Sequence, residues 1–196
     1  MTKSIEFFFD FRSPYSYLAH TQLAGLGAQV ILRPMAVLKV MEMVGNVPTT
    51  LVCAAKGRYA RADLGRWAKR YGIPLRPSDM RANDGDACSR AVLAAGTAGD
   101  AATVTTALFR AGWGEAKPLT SVSEILGIVS STGADVTTIA ARIDDPQVIA
   151  ALEANTKEAA ERGVFGSPTI LVDTQMFFGN DRLDFLREYL ATKEAA

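Results

Sequence analysis

The sequence predicts an α/β fold in which one small sheet is split by a long all-helical insertion. Three observations predict it. The first 36 residues read as strand, helix, strand. The last 36 read as strand, strand, helix. Between them, residues 37–160 show helical apolar spacing and no strand pattern. The expected division is therefore a discontinuous sheet domain, 1–36 with 161–196, and a helical insertion, 37–160.

Residues 4–11 alternate weakly and are rich in aromatics, as in a buried strand. A helix from Pro14 to about Leu26 follows, with Tyr15, Leu18, Ala19, Leu23 and Leu26 on one face; Gly25 and Gly27 end it. Val30 to Leu32 form a second strand, stopped by Pro34. In the insertion, a helix over 37–44 closes at Gly45, and a loop covers 45–50. A helix over 58–71 has Tyr59, Leu64, Trp67 and Ala68 on its apolar side and breaks at Gly72-Ile73-Pro74. Alanine-rich helices over 84–95 and 100–111, and a helix over 122–131, come next. Asp145 is a good N-cap and Pro146 a good first residue for a helix reaching Arg162. Thr169 to Val172 is β-branched, Asp173-Thr174 a turn, and Gln175 to Phe178 the paired strand. Gly179-Asn180-Asp181 then opens a last helix, with Leu183, Leu186 and Leu190 towards the sheet.

Bulk composition removes several functions. The 196 residues are 48% hydrophobic and 21% charged, with a formal net charge of +0. No basic run marks a nucleic-acid or anionic-membrane partner. No apolar stretch is long enough to span a bilayer. Glu6 and Asp10 make the N-terminus a poor secretory signal. Cys53 and Cys88 have no metal-type spacing and are expected to be reduced, in a cytoplasmic setting. One histidine, His20, argues against a histidine-based metal site or triad; a structural or exposed role is expected for it.

Three segments could carry chemistry. Ser13-Pro14-Tyr15-Ser16 stands at the strand–helix junction. Serine before proline begins many ordinary helices. The same geometry offers unpaired N–H groups and a positive dipole end, which lower the pKa of a thiol placed there from ~8.5 by a unit or more. The Ser13 hydroxyl can donate to such a thiolate; with no histidine beside it, it is a poor nucleophile itself. Ser167-Pro168 precedes a strand, which is an ordinary edge-strand start or a cis-proline whose neighbouring backbone pairs with an extended ligand. Phe178-Gly179-Asn180-Asp181 is a helix cap, or a cradle in which N–H groups hold a carboxylate and Asp181 holds an ammonium.

The layout resembles the thioredoxin-like fold, which places its reactive group at the position of Ser13 and a cis-proline at the position of Pro168. Disulfide oxidoreductases carry Cys-x-x-Cys there; here both sulfurs are replaced by Ser13 and Ser16. More of the chain resembles one family. Ser-Pro-Tyr-Ser-Tyr-Leu at 13–18, Gly-Asn-Val-Pro at 45–48, Lys-Gly-Arg-Tyr at 56–59, Arg-Trp-Ala at 66–68, Tyr-Gly-Ile-Pro-Leu at 71–75, Trp-Gly-Glu at 113–115, Val-Phe-Gly-Ser-Pro-Thr at 164–169 and Gly-Asn-Asp-Arg-Leu at 179–183 are similar to 2-hydroxychromene-2-carboxylate isomerases. Kappa-class glutathione transferases share much of this pattern.

The resemblance implies a DsbA-like fold of the kappa-class type, glutathione as cofactor, a small aromatic substrate and a homodimer. It implies that Ser13 contacts the glutathione sulfur and that Ser167 and Pro168 hold its cysteinyl backbone. Phe178, Gly179, Asn180 and Asp181 would line its γ-glutamyl end, and Asn46 and Lys56 would approach from the insertion. Arg81, Asn83 and Arg90 fall in the stretch bordering the substrate pocket, where Asn83-Asp84-Gly85-Asp86-Ala87-Cys88 departs from the family pattern. Trp113 either covers that pocket or packs in the core. Three functions follow as expectations: glutathione-dependent isomerase, kappa-like transferase or peroxidase, and non-catalytic thioredoxin-like binding module.

Overall fold

The computed structural model describes residues 3–76 and 82–192. Four strands form one mixed sheet in the order β2-β1-β3-β4. β1 (Ser4–Phe9) pairs parallel to β2 (Gln29–Pro34), with Phe7 opposite Leu32. β3 (Thr169–Val172) lies antiparallel to β1, with Phe7 opposite Ile170, and β4 (Gln175–Phe178) closes the far edge as a hairpin with β3. This is the expected split sheet. β2 runs through Pro34 rather than stopping before it. As an edge strand it tolerates a residue without an N–H.

The two-residue period of β1 sorts its side chains between two cores. Ile5, Phe7 and Phe9 face one cluster, and Phe8 the other. The Phe8 cluster is small and is closed by α2 (Val37–Met43) and α9 (Pro146–Glu161), through Val37, Val40 and Ala159. The Phe7 and Phe9 cluster is large. It receives α1 (Pro14–Leu23) and the buried faces of the insertion helices α5 (Gly85–Ala94), α6 (Ala98–Phe109), α7 (Val122–Val129) and α8 (Val136–Arg142). The sheet and most of the insertion are therefore held by one continuous apolar core.

Three helices depart from the expected pattern. Thr49–Val52 forms a short helix, α3, where a loop was expected, and α4 starts at Ala54 (Ala54–Tyr71) rather than at Arg58. α8 has no counterpart in the sequence reading. Its first turn is β-branched, and tertiary packing of Ile139 outweighs that propensity. Asp135 caps it by accepting from the Thr138 N–H at 3.0 Å. α1 continues into a 3-10 turn (Ala24–Leu26), and α6 ends in a single π turn (Arg110–Gly114).

His20 sits on α1 with its ring against Phe7 (6.3 Å between centroids) and Phe109 (5.3 Å). Nε2 lies 3.0 Å from Thr106 Oγ1, and Nδ1 has no partner among the described residues. Burial lowers its pKa from 6.5 to about 4. The unfolded chain thus binds more protons than the native state across that window. Stability is full above it and falls as pH drops through it, by up to about 3 kcal/mol. Urea denaturation at pH 7 and pH 5 is expected to show a smaller pH-dependent loss for His20→Phe than for the unchanged protein; equal losses would show that His20 titrates normally.

Candidate active site

The site forms where β1 gives way to α1. Ser13 is the N-cap, in extended conformation, and Pro14 is the first helical residue. Ser13 Oγ accepts from the Ser16 N–H at 3.1 Å and donates to the Ser167 carbonyl at 3.2 Å. The Ser167–Pro168 bond is cis, as expected. It presents the Ser167 backbone to the first turn of α1. The two half-buried groups, one from each end of the chain, define the centre of the candidate site.

Around this centre the backbone is tightly fixed. The Asp10 N–H donates to Ser167 Oγ at 3.1 Å, and Ser167 Oγ lies 2.5 Å from Ser16 Oγ. Ser16 is fully buried. It stands where an oxidoreductase keeps its second cysteine, and here it clamps the cis-proline loop to α1. The Gly179 N–H donates to the Pro168 carbonyl at 2.9 Å. Gly166 lets the Phe178 ring pack close: a β-carbon there would lie 2.7 Å from the ring and push it aside. Gly179 has φ +96, and a β-carbon there would meet Asp181 Oδ1 at 2.5 Å.

The γ-glutamyl candidates divide by exposure. Asn180 is buried, and its carbonyl accepts from Tyr71 Oη at 3.1 Å. Asp181 is exposed and pairs with Arg182 at 2.8 Å. Phe178 is partly exposed and stacks on Phe165, 4.5 Å between centroids. From the insertion, Asn46 Nδ2 donates to the Phe165 carbonyl at 2.8 Å, and its Oδ1 accepts from the Val47 N–H. Asn46 therefore links the insertion to the cis-proline loop. Lys56 is exposed on α4.

The expected substrate residues do not gather here. Arg81 lies outside the described residues. Asn83 Oδ1 accepts from the Leu119 N–H at 3.2 Å and so braces the turn before α5. Arg90 is engaged elsewhere: Nε donates to the Ile143 carbonyl and Nη2 to Asp144, which joins α5 to the start of α9. Trp113 resolves towards the core. It is 6% exposed, and its Nε1–H donates to the Phe11 carbonyl at 2.8 Å, bracing the turn before Ser13.

Sequence reasoning passed over three groups at the site. Tyr15 falls on the apolar face of α1 by its spacing, yet its hydroxyl donates to Asp63 Oδ2 on α4 at 3.1 Å. Burial, and then the Asp63 charge, push its pKa up, so the phenol remains a donor. Ser16 was visible only as a missing cysteine. Asp10, fully buried at the end of a run of phenylalanines, was the clearest unread signal, since an acid is seldom buried without a partner. Among the described residues, no group of three His, Cys, Asp or Glu side chains could hold a metal, and no helix is long and apolar enough to cross a membrane.

Comparison with known proteins agrees with this architecture. The family model of a DSBA-like thioredoxin domain matches residues 4–191. A 2-hydroxychromene-2-carboxylate isomerase of Sphingobium xenophagum is 36% identical over 196 residues, covering 97% of this chain and 99% of that one. A glutathione S-transferase kappa 2 of Caenorhabditis elegans is 27% identical over 207 residues, covering 96% and 92%. A solved structure of 2-hydroxychromene-2-carboxylate isomerase superposes with a TM-score of 0.86 at 30% identity, over 95% of this chain and 94% of that one. The chain belongs to the DSBA-like thioredoxin domain family and, within it, to the family of the 2-hydroxychromene-2-carboxylate isomerases.

Proposed function

We propose that the protein is a glutathione-dependent isomerase that interconverts 2-hydroxychromene-2-carboxylate and trans-o-hydroxybenzylidenepyruvate. The observation that carries this reading is the Ser13 hydroxyl, 3.2 Å from the carbonyl before a cis-proline, at a helix N-terminus that has lost both cysteines. The residues fit the tripeptide. β-carbons at Gly166 and Gly179 would crowd Phe178 and Asp181, and the Ser167 backbone, just before β3, is a candidate to pair with a cysteinyl backbone. Asp181 suits the ammonium of a γ-glutamyl group, and Phe178 and Asn180 frame the same end. Asn46 shapes the far wall, and Lys56 offers a cation for a glycyl or substrate carboxylate.

When bound, glutathione supplies a thiolate that adds reversibly to the electrophilic carbon of the ring-opened enone, so that its double bond becomes one that can rotate. Ser13 turns its hydroxyl from the Ser167 carbonyl to the sulfur and stabilises the anion together with the α1 dipole. Tyr15 keeps its proton because Asp63 and burial hold it. The isomerisation has no net redox change, which agrees with serines at 13 and 16.

The homodimer, the cytoplasmic setting and the division into 1–36 with 161–196 and 37–160 belong to the same proposal, on the strength of the family. A kappa-like transferase is the second reading, favoured by the relative of that name. The test is direct. Purified protein should interconvert the two acids with glutathione present and not in its absence. Conjugation of chlorodinitrobenzene without isomerisation would favour the transferase, and failure to bind glutathione in calorimetry would favour a binding module.

A further inference from the structure

Behind the turn that carries Ser13 lies an ionic group that the chemistry above does not use. The Asp10 carboxylate accepts from three donors: Oδ1 from the Arg12 N–H at 2.8 Å, and Oδ2 from Arg12 Nη1 at 3.2 Å and from the Val37 N–H at 2.9 Å. The same Arg12 nitrogen donates to Asp86 Oδ1 on α5 at 2.8 Å. Gly85 makes the passage, since a β-carbon there would lie 2.8 Å from Arg12 Cγ. The turn, the start of α2 and the start of α5 thus meet at one buried carboxylate.

Its charge has consequences for Ser13. The Ser13 N–H donates to the Asp10 carbonyl at 3.0 Å, so both residues belong to one turn. A bare negative charge there would oppose the positive end of α1 and disfavour a second anion at its mouth. Burial holds the Asp10 carboxyl above its ordinary range, and the Arg12 charge and the N–H donors of Arg12 and Val37 act against that rise in favour of the carboxylate. Other ionisable groups face the site from neighbouring elements: Tyr59 and Asp63 from α4, Tyr15 from α1, and Asp181 with Arg182 after β4. Asp86 and Cys88 face the Asp10–Arg12 pair from α5. Arg12 is the cation that meets Asp10 directly.

We propose that Arg12 is a positioning residue for the sulfur site: held between Asp10 and Asp86, its guanidinium cancels the buried charge behind the catalytic turn and lets the α1 N-terminus hold a thiolate. This rests on the reading of the site as a thiolate site, and its test does not need glutathione. A thiol introduced by Ser13→Cys reports the local potential. Its pKa is read from the pH dependence of iodoacetamide alkylation at position 13, resolved by peptide mass spectrometry from Cys53 and Cys88.

Adding Arg12→Met is expected to raise that pKa by about one unit. Adding Asp10→Asn to the Arg12→Met protein returns it close to its starting value. Asp10→Asn with Arg12 intact shifts it the opposite way, which keeps the test decisive should the Arg12→Met protein fail to fold. Arg12→Lys, which keeps the charge, leaves it nearly unmoved. A lower melting temperature with an unmoved pKa, or an Asp10→Asn shift upward, overturns the inference. If the introduced thiol responds as stated while glutathione does not bind the unaltered protein, the positioning role stands and the glutathione reading falls. If glutathione binds as thiolate, seen by ultraviolet absorbance, and Arg12→Met leaves its titration unchanged, the reverse holds.

Discussion

Ser13→Ala is expected to lower kcat/KM for isomerisation by about 100-fold while the protein stays folded. A preorganised donor to an anion in a partly closed site is worth roughly 10²–10³ in rate, and Ser13 Oγ is half-buried with its other partners fixed. The same side chain is the N-cap of α1, so the substitution also removes about 1 kcal/mol of helix stability, or a few degrees in Tm for a chain of this size. Ser13→Gly separates the two effects, because glycine is a tolerable cap and still lacks the hydroxyl. It should lose as much activity as Ser13→Ala with a smaller fall in Tm. With the donor gone, the bound thiol titrates at higher pH, and part of the activity returns as pH rises. Turnover within a factor of about three of the unaltered protein, on a scale where one lost donor is worth roughly 10², would remove Ser13 from the reaction.

Features legible in the sequence are those set by local backbone demands. The β3–β4 hairpin is written in a β-branched run, Asp173-Thr174 and a second short run, and its bounds are the expected ones. The start of α9 is written in Asp145-Pro146. Ser13 and Pro168 could be singled out because a capping serine and a proline before a strand each constrain their own neighbours. Partnerships across the chain left no such trace. Asn46 reaches Phe165, Tyr15 reaches Asp63, and Ser16 reaches Ser167 only after the insertion folds back over the sheet. Residue type alone says little about such partners: Arg90, of a type suited to an aromatic acid, is engaged by folding with Ile143 and Asp144, and Trp113, open between pocket and core, donates to Phe11. α3 and α8 escaped because β-branched residues open or fill them; in α8 the packing of Ile139 overrides that preference, whereas α3 buries none of its residues and is a single turn after Pro48.

Phe109→Ala is expected to cost about 3–5 kcal/mol of stability, about 10 °C in Tm. Phe109 is fully buried and joins four rings: Phe11 at 4.5 Å, His20 at 5.3 Å, Phe9 at 5.5 Å and Tyr17 at 6.2 Å between centroids. Those neighbours belong to β1, the turn before Ser13 and α1, which cannot all close inward on a void while keeping their hydrogen bonds. Phe9 and Phe11 flank Asp10, and Phe11 also receives Trp113. The cavity therefore opens beneath the turn that aims Ser13, and affinity for glutathione should fall along with stability. Thermal melts and glutathione calorimetry on the same variant test both halves. Because the void would be lined by apolar rings, added benzene should occupy it and recover part of the lost Tm. A Tm within a degree or two of the unaltered protein would mean that α6 closes onto the sheet without this ring, and that the aromatic cluster does not set the position of the turn.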